Sequence, residues 1–337
     1  MTTTAPPLER DLVETFPFPF PQDTYRYSTN VEPAGKLVPT PAGQWGASML
    51  HVDSEYHHEL DERAAILQRD PSRQQVLPHM RPAAWDAMLT LMQELGTAYP
   101  REFTLTRDDD GTFTWINRKQ GIEQRFTYAD ETTLPEPETG PLGFIGSQVQ
   151  EDIALLDQRE GQLFVDAGII TFAADWSFGF DVGMSFLEIH GPVPRVHDMG
   201  VIARAQTFLM RLQPSTPYRR TNWTLTIGRR LDVSTEVYHE WGPDRGWIQT
   251  TDDQTFGASV HLRVEVQHLV RLPDSGAVMF LIRTYMLPLE QLARIEPWRA
   301  RTHAVLQELP EDMADYKGFI SYRDRAVAWL ESQAPSS

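Results

Sequence analysis

The chain of 337 residues contains no cysteine. That absence removes disulfides, a thiolate nucleophile, iron–sulfur ligation, Cys-type structural zinc and a haem held by a thiolate. Any bound metal or haem must take its ligands from the 10 His, the carboxylates, Tyr or Met. Basic charge is also scarce: 30 Lys and Arg stand against 47 Asp and Glu, a net charge of −17. With no run of five or six basic residues, nucleic acid and acidic membrane surfaces are repelled rather than bound. Long apolar runs are missing too. The longest obvious one, 277–282, falls far short of the roughly 18 residues that span a membrane. The opening MTTTAPPLERDL has neither a basic nor an apolar signal region, so a cytoplasmic location is expected. Neither GxGxxG after a strand nor GxxxxGK[ST] occurs, and there is no GxSxG. These absences argue against an NAD, FAD or ATP site of the familiar kinds and against a Ser hydrolase of that type.

Hydrophobic residues make up 41%, enough for one large domain or a core with a substantial extra segment. The 9 Trp, 10 Tyr and 16 Phe suit a large flat apolar ligand, and equally an aromatic core. Residues 1–45 carry Pro17, Pro19, Pro21, Pro33, Pro39 and Pro41. They read as an extended arm that wraps the body, anchored by Phe16, Phe18, Phe20, Tyr25 and Tyr27.

Residues 53–69 read as a helix capped by Asp53 or Ser54 and ended by Pro71. Residues 82–96 read as a second, with Trp85, Met88, Leu89, Met92 and Leu95 on one stripe. A strand pair around DDDG is expected over 102–128, then a Pro-rich loop at 130–142. Residues 144–158 read as a helix through the spacing of Ile145, Val149, Ile153 and Leu156. A buried strand at 163–174, an irregular stretch at 175–200 and a helix at 200–212 follow. Strands are expected at 220–228, 259–272 and 277–287, the last two joined by the tight turn PDSG. Helices at 289–308, 310–317 and 319–332 close the chain. This order is α+β rather than alternating βαβ.

His190 stands out because Gly191-Pro192-Val193-Pro194 follows it at once. The two rigid prolines fix the chain direction and could hold an imidazole at one angle toward a haem iron. The plain alternative is a histidine packed at the end of a helix. His51-Val52-Asp53, with His57 and His58 nearby, matches the H-x-D of non-haem Fe(II) oxygenases, although Asp53 also suits a helix cap. His261 and His268 lie an odd number of residues apart on one strand and so point to opposite faces. On that strand Arg263 and Glu265 share a face, and Arg283 sits inside the next. They are either solvated charges or a ligand side where arginines meet propionates and a carboxylate meets an amine. Glu151 and Asp152 are site carboxylates or helix surface, and Asn222 and Trp223 are pocket lining or core.

Several stretches together carry more than any one motif. They are 150–156 (QEDIALL), Trp176 followed by Gly183 and the segment 189–194, and 220–223 (RTNW). Further along come 263–265, 271–285 and Tyr316-Lys317-Gly318, and at the start Tyr25-Arg26, Pro39, Trp45, Asp53 and Tyr56. In order and spacing, over nearly the whole chain, they resemble the haem-dependent oxidative N-demethylase family. The resemblance implies a PAS-like antiparallel sheet core at 101–288 with helical insertions. An N-terminal arm with helices (1–100) and C-terminal helices (289–337) would complete one structural unit. It implies haem b, O2 as co-substrate, and electrons from a flavin/iron–sulfur reductase or ferredoxin-type donor. The implied reaction is demethylation of a small secondary amine such as dimethylamine, releasing formaldehyde. On the same basis His190 is the axial ligand, with His197 as fallback. Arg263, Asn222, Trp223, Pro192 and Pro194 would line the cofactor. Glu265, Arg283, Glu151 and Asp152 would face the reaction, with the choice between Arg263 and Arg283 for a propionate left open. Two departures from the family pattern fall here: 177–182 lacks the usual basic residue, and Val266 replaces the Arg of E-R-Q. A haem-binding sensor or carrier without turnover, and an Fe(II) oxygenase using His51 and Asp53, are the alternatives.

Overall fold

The computed structural model describes residues 11–334 apart from 41, 42, 47, 197 and 215. His197 and Pro41 lie outside the described residues, as do the side chains of Pro39 and Trp45. The strands are β1 (Glu32–Pro33), β2 (Val38–Thr40), β3 (Gly43–Trp45), β4 (Gln74–Val76), β5 (Phe103–Arg107) and β6 (Phe113–Asn117). They continue as β7 (Ile122–Phe126), β8 (Asp152–Arg159), β9 (Gln162–Ile169), β10 (Tyr218–Ile227), β11 (Val260–Arg271) and β12 (Val278–Pro288). Seven of them form one sheet in the order β1-β10-β11-β12-β8-β9-β4, with every pairing antiparallel. The fold is α+β, as expected.

β11 organises this sheet. All of its residues are buried, so both faces are covered. Val260, Leu262, Val264 and Val266 pack into a cluster with Leu306, Met313 and Trp329 of the C-terminal helices. Alternation sends Arg263, Glu265, Gln267 and Leu269 to the opposite face. The arm joins the first of these clusters. Phe18 stacks on Trp298 at 4.8 Å, and Phe20 meets Trp223 edge-on at 4.8 Å. Burying Phe16 and Phe20 stabilises the arm by about 1.5–3 kcal/mol each.

Four expectations change, one of them the helix at 289–308, which divides into Leu289–Leu292 and Glu296–Glu308. The residues read as a helix over 144–158 divide into helix Gly140–Gly146 and strand β8. β8 is buried on both faces over its first five residues, so its apolar run lacks the alternation that marks a half-exposed strand. At the break, a Cβ on Gly146 would lie 2.7 Å from Ile169 Cδ1, so a side chain here would have to displace Ile169. The helix expected from 53 starts at Tyr56, and neither Asp53 nor Ser54 caps it. The pair at 102–128 is a three-stranded sheet, because Ile122–Phe126 adds to β6.

His268 is buried among these elements, and among the described residues neither ring nitrogen has a hydrogen-bond partner. Burial, with the Arg219 charge, pushes its pKa from 6.5 down to about 3. Below 6.5 the unfolded chain takes up this proton and the native chain does not, so native stability falls as the pH drops toward 3. His268→Leu removes both unsatisfied nitrogens and is expected to stabilise by about 1–3 kcal/mol at pH 7. The gain should grow by about 1.4 kcal/mol per pH unit below 6.5. Urea unfolding at pH 7 and pH 5 checks this; an equal or smaller gain at pH 5 contradicts it.

Candidate functional site

The β10–β11 register sets Asn222 opposite Glu265 and Arg220 opposite Gln267. Gln267 Nε2 donates to Glu265 Oε2 at 2.9 Å, and Asn222 Nδ2 donates to the same oxygen at 3.4 Å. The two amides fix the carboxylate. Its other oxygen, Oε1, faces Arg263 Nε at 3.6 Å, an ion pair too long for a hydrogen bond. Arg263 Nη1 and Nη2 are spent on backbone, donating to Leu231 O at 2.8 Å and to Phe172 O. Among the described residues no hydrogen bond reaches Glu265 Oε1. Two buried atoms beside it, Arg263 Nε and Gln267 Oε1, have no partner either. Such orphans are uncommon in a folded interior, and two beside one carboxylate make this a candidate place for a ligand, a water or an ion.

Cations surround this carboxylate. Lys317 Nζ donates to Trp223 O at 2.6 Å and to Asn222 Oδ1 at 3.3 Å. Burial draws its pKa down to about 8, although Glu265 pulls it up. Gly318 holds the Lys317 turn: its φ is 77°, and a Cβ would lie 2.1 Å from Arg245 Nη2, which is bound to Asp175. Arg220 Nε donates to Thr29 O at 2.9 Å, and no carboxylate of the described residues pairs with its guanidinium. Burial lowers its pKa, with Glu265 and the Tyr316 hydroxyl acting against that.

His190 comes to the same face of the sheet. Ser185 and Glu188 form a reciprocal cap on helix Phe186–Ile189. Phe186 packs on the cluster of Leu156, Leu163, Leu269 and Val278, and Leu269 shares the Glu265 face of β11. At the helix end, His190 Nδ1 lies 2.8 Å from Phe186 O. A carbonyl only accepts, so Nδ1 carries the proton and the lone pair of the neutral ring belongs to Nε2. Beyond it, Val193 N donates to His190 O at 3.1 Å and the Tyr27 hydroxyl donates to Pro194 O at 2.6 Å. Pro192 lies exposed in this turn.

The other candidates do not converge here. Arg283 alternates to the opposite face, where Nη1 meets Glu59 and Nη2 meets Asp53, each at 2.7 Å. Burial raises Glu59 to about 7 despite Arg283. Asp53, which burial alone would raise, is held below its ordinary value by Arg283 and by hydrogen bonds from Gln150 and Glu55. Glu151 accepts from His51 N at 2.9 Å. His51 Nδ1 is hydrogen-bonded to the Tyr285 hydroxyl at 2.8 Å. Asp152 accepts from Thr171 N at 3.0 Å, Phe172 N at 2.8 Å and Arg63 Nη2 at 3.1 Å. Trp223 packs with the arm. Glu59 and Arg63 escaped the sequence reading, and Gln150 entered it only as part of the 150–156 stretch. Glu59 and Arg63 could have been found, since their spacing of four puts both on one helix face.

His79, Asp157 and Asp166 bring ligand atoms within 4.8 Å of one another. The Arg159 guanidinium, 2.7 Å from Asp157 and closer still to Asp166, already supplies the cation there. An open groove between 21–26 and 297–301 is lined by none of the residues around His190 or Glu265.

The Arg63–Asp152 pair is fully buried, so breaking it should act on folding rather than on the site. Arg63→Met is expected to cost about 3–5 kcal/mol in urea unfolding. The fraction that remains folded should keep its ligand binding. Lost binding with unchanged stability would instead make Asp152 a site residue.

A family model described as haem-dependent oxidative N-demethylase, alpha subunit-like, matches residues 42–327. That span takes in the His190 segment, the Glu265 face of the sheet and the Lys317 turn, and the chain belongs to this family.

Proposed function

We propose that the protein is a haem-dependent oxidoreductase that demethylates a small secondary amine, with His190 as the iron ligand. The observation that carries this is the His190 Nδ1 hydrogen bond to Phe186 O, which orients the ring and fixes the tautomer with the lone pair on Nε2. The remaining donors fit the group as well. Arg220 is a guanidinium without a carboxylate, and is better suited to a propionate than Arg263, spent on backbone and Glu265, or Arg283, on the far face. Bound haem b would activate O2 with electrons from a separate flavin/iron–sulfur or ferredoxin-type donor.

The chain's own part is to hold the amine. Glu265 Oε1 would accept an ammonium N–H, while Gln267 and Asn222 keep the carboxylate from turning. An N-methyl secondary amine, O2, two electrons and two protons balance to the primary amine, formaldehyde and water. In this proposal β8–β12 form a PAS-like core, on which the arm and C-terminal helices pack as one unit. No helix of the described residues is long and apolar enough to cross a membrane, and a cytoplasmic setting is part of the proposal. A non-haem iron at His51 and Asp53 is disfavoured because Arg283 already holds Asp53 Oδ2 and Tyr285 holds His51 Nδ1.

Protein purified from cells fed a haem precursor should show a Soret band that moves on reduction and with CO. His190→Ala should lose the haem while remaining folded by circular dichroism. Arg220→Met should weaken haem uptake about ten-fold, while the dimethyl ester of haem should bind the wild type and the variant alike. A featureless spectrum after haem titration would refute the cofactor. A normal Soret band that responds to ligand, with no substrate-dependent O2 uptake, would favour a sensor or carrier.

A further inference from the structure

The segment that carries His190 is fastened at both ends by different means. Upstream, the Ser185–Glu188 reciprocal cap fixes the helix that precedes it. Downstream, the chain passes through two prolines and then Arg195, which has φ of 64°. A non-glycine residue persists in that left-handed conformation only where its surroundings hold it there. Here they are Asp312, which accepts from Arg195 Nε and Nη2 at 2.8 Å each, and the Tyr27 hydroxyl on Pro194 O at 2.6 Å. The two anchors come from remote parts of the chain, the N-terminal arm and helix Glu311–Tyr316. With φ preset at Pro192 and Pro194, few torsions remain free between these anchors and the imidazole.

We propose that Asp312, Arg195 and Tyr27 are positioning residues that set the orientation of the His190 imidazole, a role that rests on His190 being the iron ligand. Helix Glu311–Tyr316 then serves two ends of one site. Asp312, in its first turn, holds the ligand segment, and the turn that follows it places Lys317 against Asn222 and Trp223. The Arg195–Asp312 pair is exposed, 49% and 40%, so its removal leaves the core intact. Exposure also makes it sensitive to salt.

The test uses the full chain loaded with haem. The iron–histidine stretching band of the ferrous form is read by resonance Raman, and haem loss is followed by transfer to apomyoglobin. Asp312→Asn and Tyr27→Phe should each shift or broaden the band and speed haem loss about five-fold. Asp312→Glu should recover part of both. Salt should accelerate haem loss from the wild type and not from Asp312→Asn. Band and transfer rate equal to wild type in both Asp312→Asn and Tyr27→Phe would overturn the positioning role. His190→Gly separates the two assignments. Loss of the band with recovery on added imidazole upholds His190 as ligand, so that unaltered Asp312 and Tyr27 variants then refute positioning alone. An unchanged band in His190→Gly removes the ligand and the positioning role together.

Discussion

Every side chain of β11 is buried, and a strand has only two faces on which to put them. The arrangement of the rest follows from that constraint. The face that carries Val260, Leu262, Val264 and Val266 must be covered by apolar matter, and the C-terminal helices and the arm supply it. The other face carries Arg263, Glu265 and Gln267, whose charges and amides cannot be left dry and unpaired without cost. They are tied largely to one another and to backbone carbonyls. The atoms left over, Gln267 Oε1 and Arg263 Nε, mark the part of that face the fold itself does not complete.

Buried charge elsewhere in the molecule is mostly paired within the fold, although Arg283 Nε and Arg229 Nε lack a hydrogen-bond partner among the described residues, as Arg263 Nε does. Arg63 is consumed by Asp152 and by the carbonyls of Gly146, Val149, Gln150 and Glu151. Arg73 is paired with Asp70 and Asp232, and Arg283 with Asp53 and Glu59. These networks pin helix Tyr56–Arg69 and the chain before it to β8 and β12. The carboxylates of Asp152, Asp53 and Asp232 take donors on both oxygens, which leaves them little to offer a substrate. Glu265, like Glu59, takes its hydrogen-bond donors on one oxygen, and it differs in the cations Arg220 and Lys317 that act on it.

Much of this was legible in the sequence where local pattern and tertiary demand agree. The β11–β12 hairpin, its turn, the helix through Trp85 and Met92 and the aromatic arm all stand where their residue patterns put them. Arg263 and Glu265 do share a face, as period-two alternation required. The helix expected over 144–158 failed because β8, buried on both sides, shows no alternation. The parting of Arg283 from Glu265 depends on register. Glu265 pairs with Thr284 and Arg283 with Val266, so a single residue of offset sends the two charges to opposite faces. Lys317 was visible only as part of a motif. That its ammonium reaches Asn222, 95 residues away in sequence, depends on packing of the last helices that no local pattern encodes.

The charge balance of the Glu265 face bears directly on the cofactor. Arg263 has Glu265 within ion-pair distance, whereas Arg220 and Lys317 have no carboxylate of the described residues that close. Two cations thus stand uncompensated on one face of a chain whose net charge is −17. Free acidic residues are abundant, so the lack of counter-charge here is not a matter of supply. Burial already draws Lys317 down to about 8, the direction expected of an ammonium that lacks its anion. A haem carries two propionates. A dianion entering beside Arg220 and Lys317 would restore neutrality and raise the Lys317 pKa again. It would leave Glu265 Oε1, which no hydrogen bond of the described residues reaches, to meet a cationic amine.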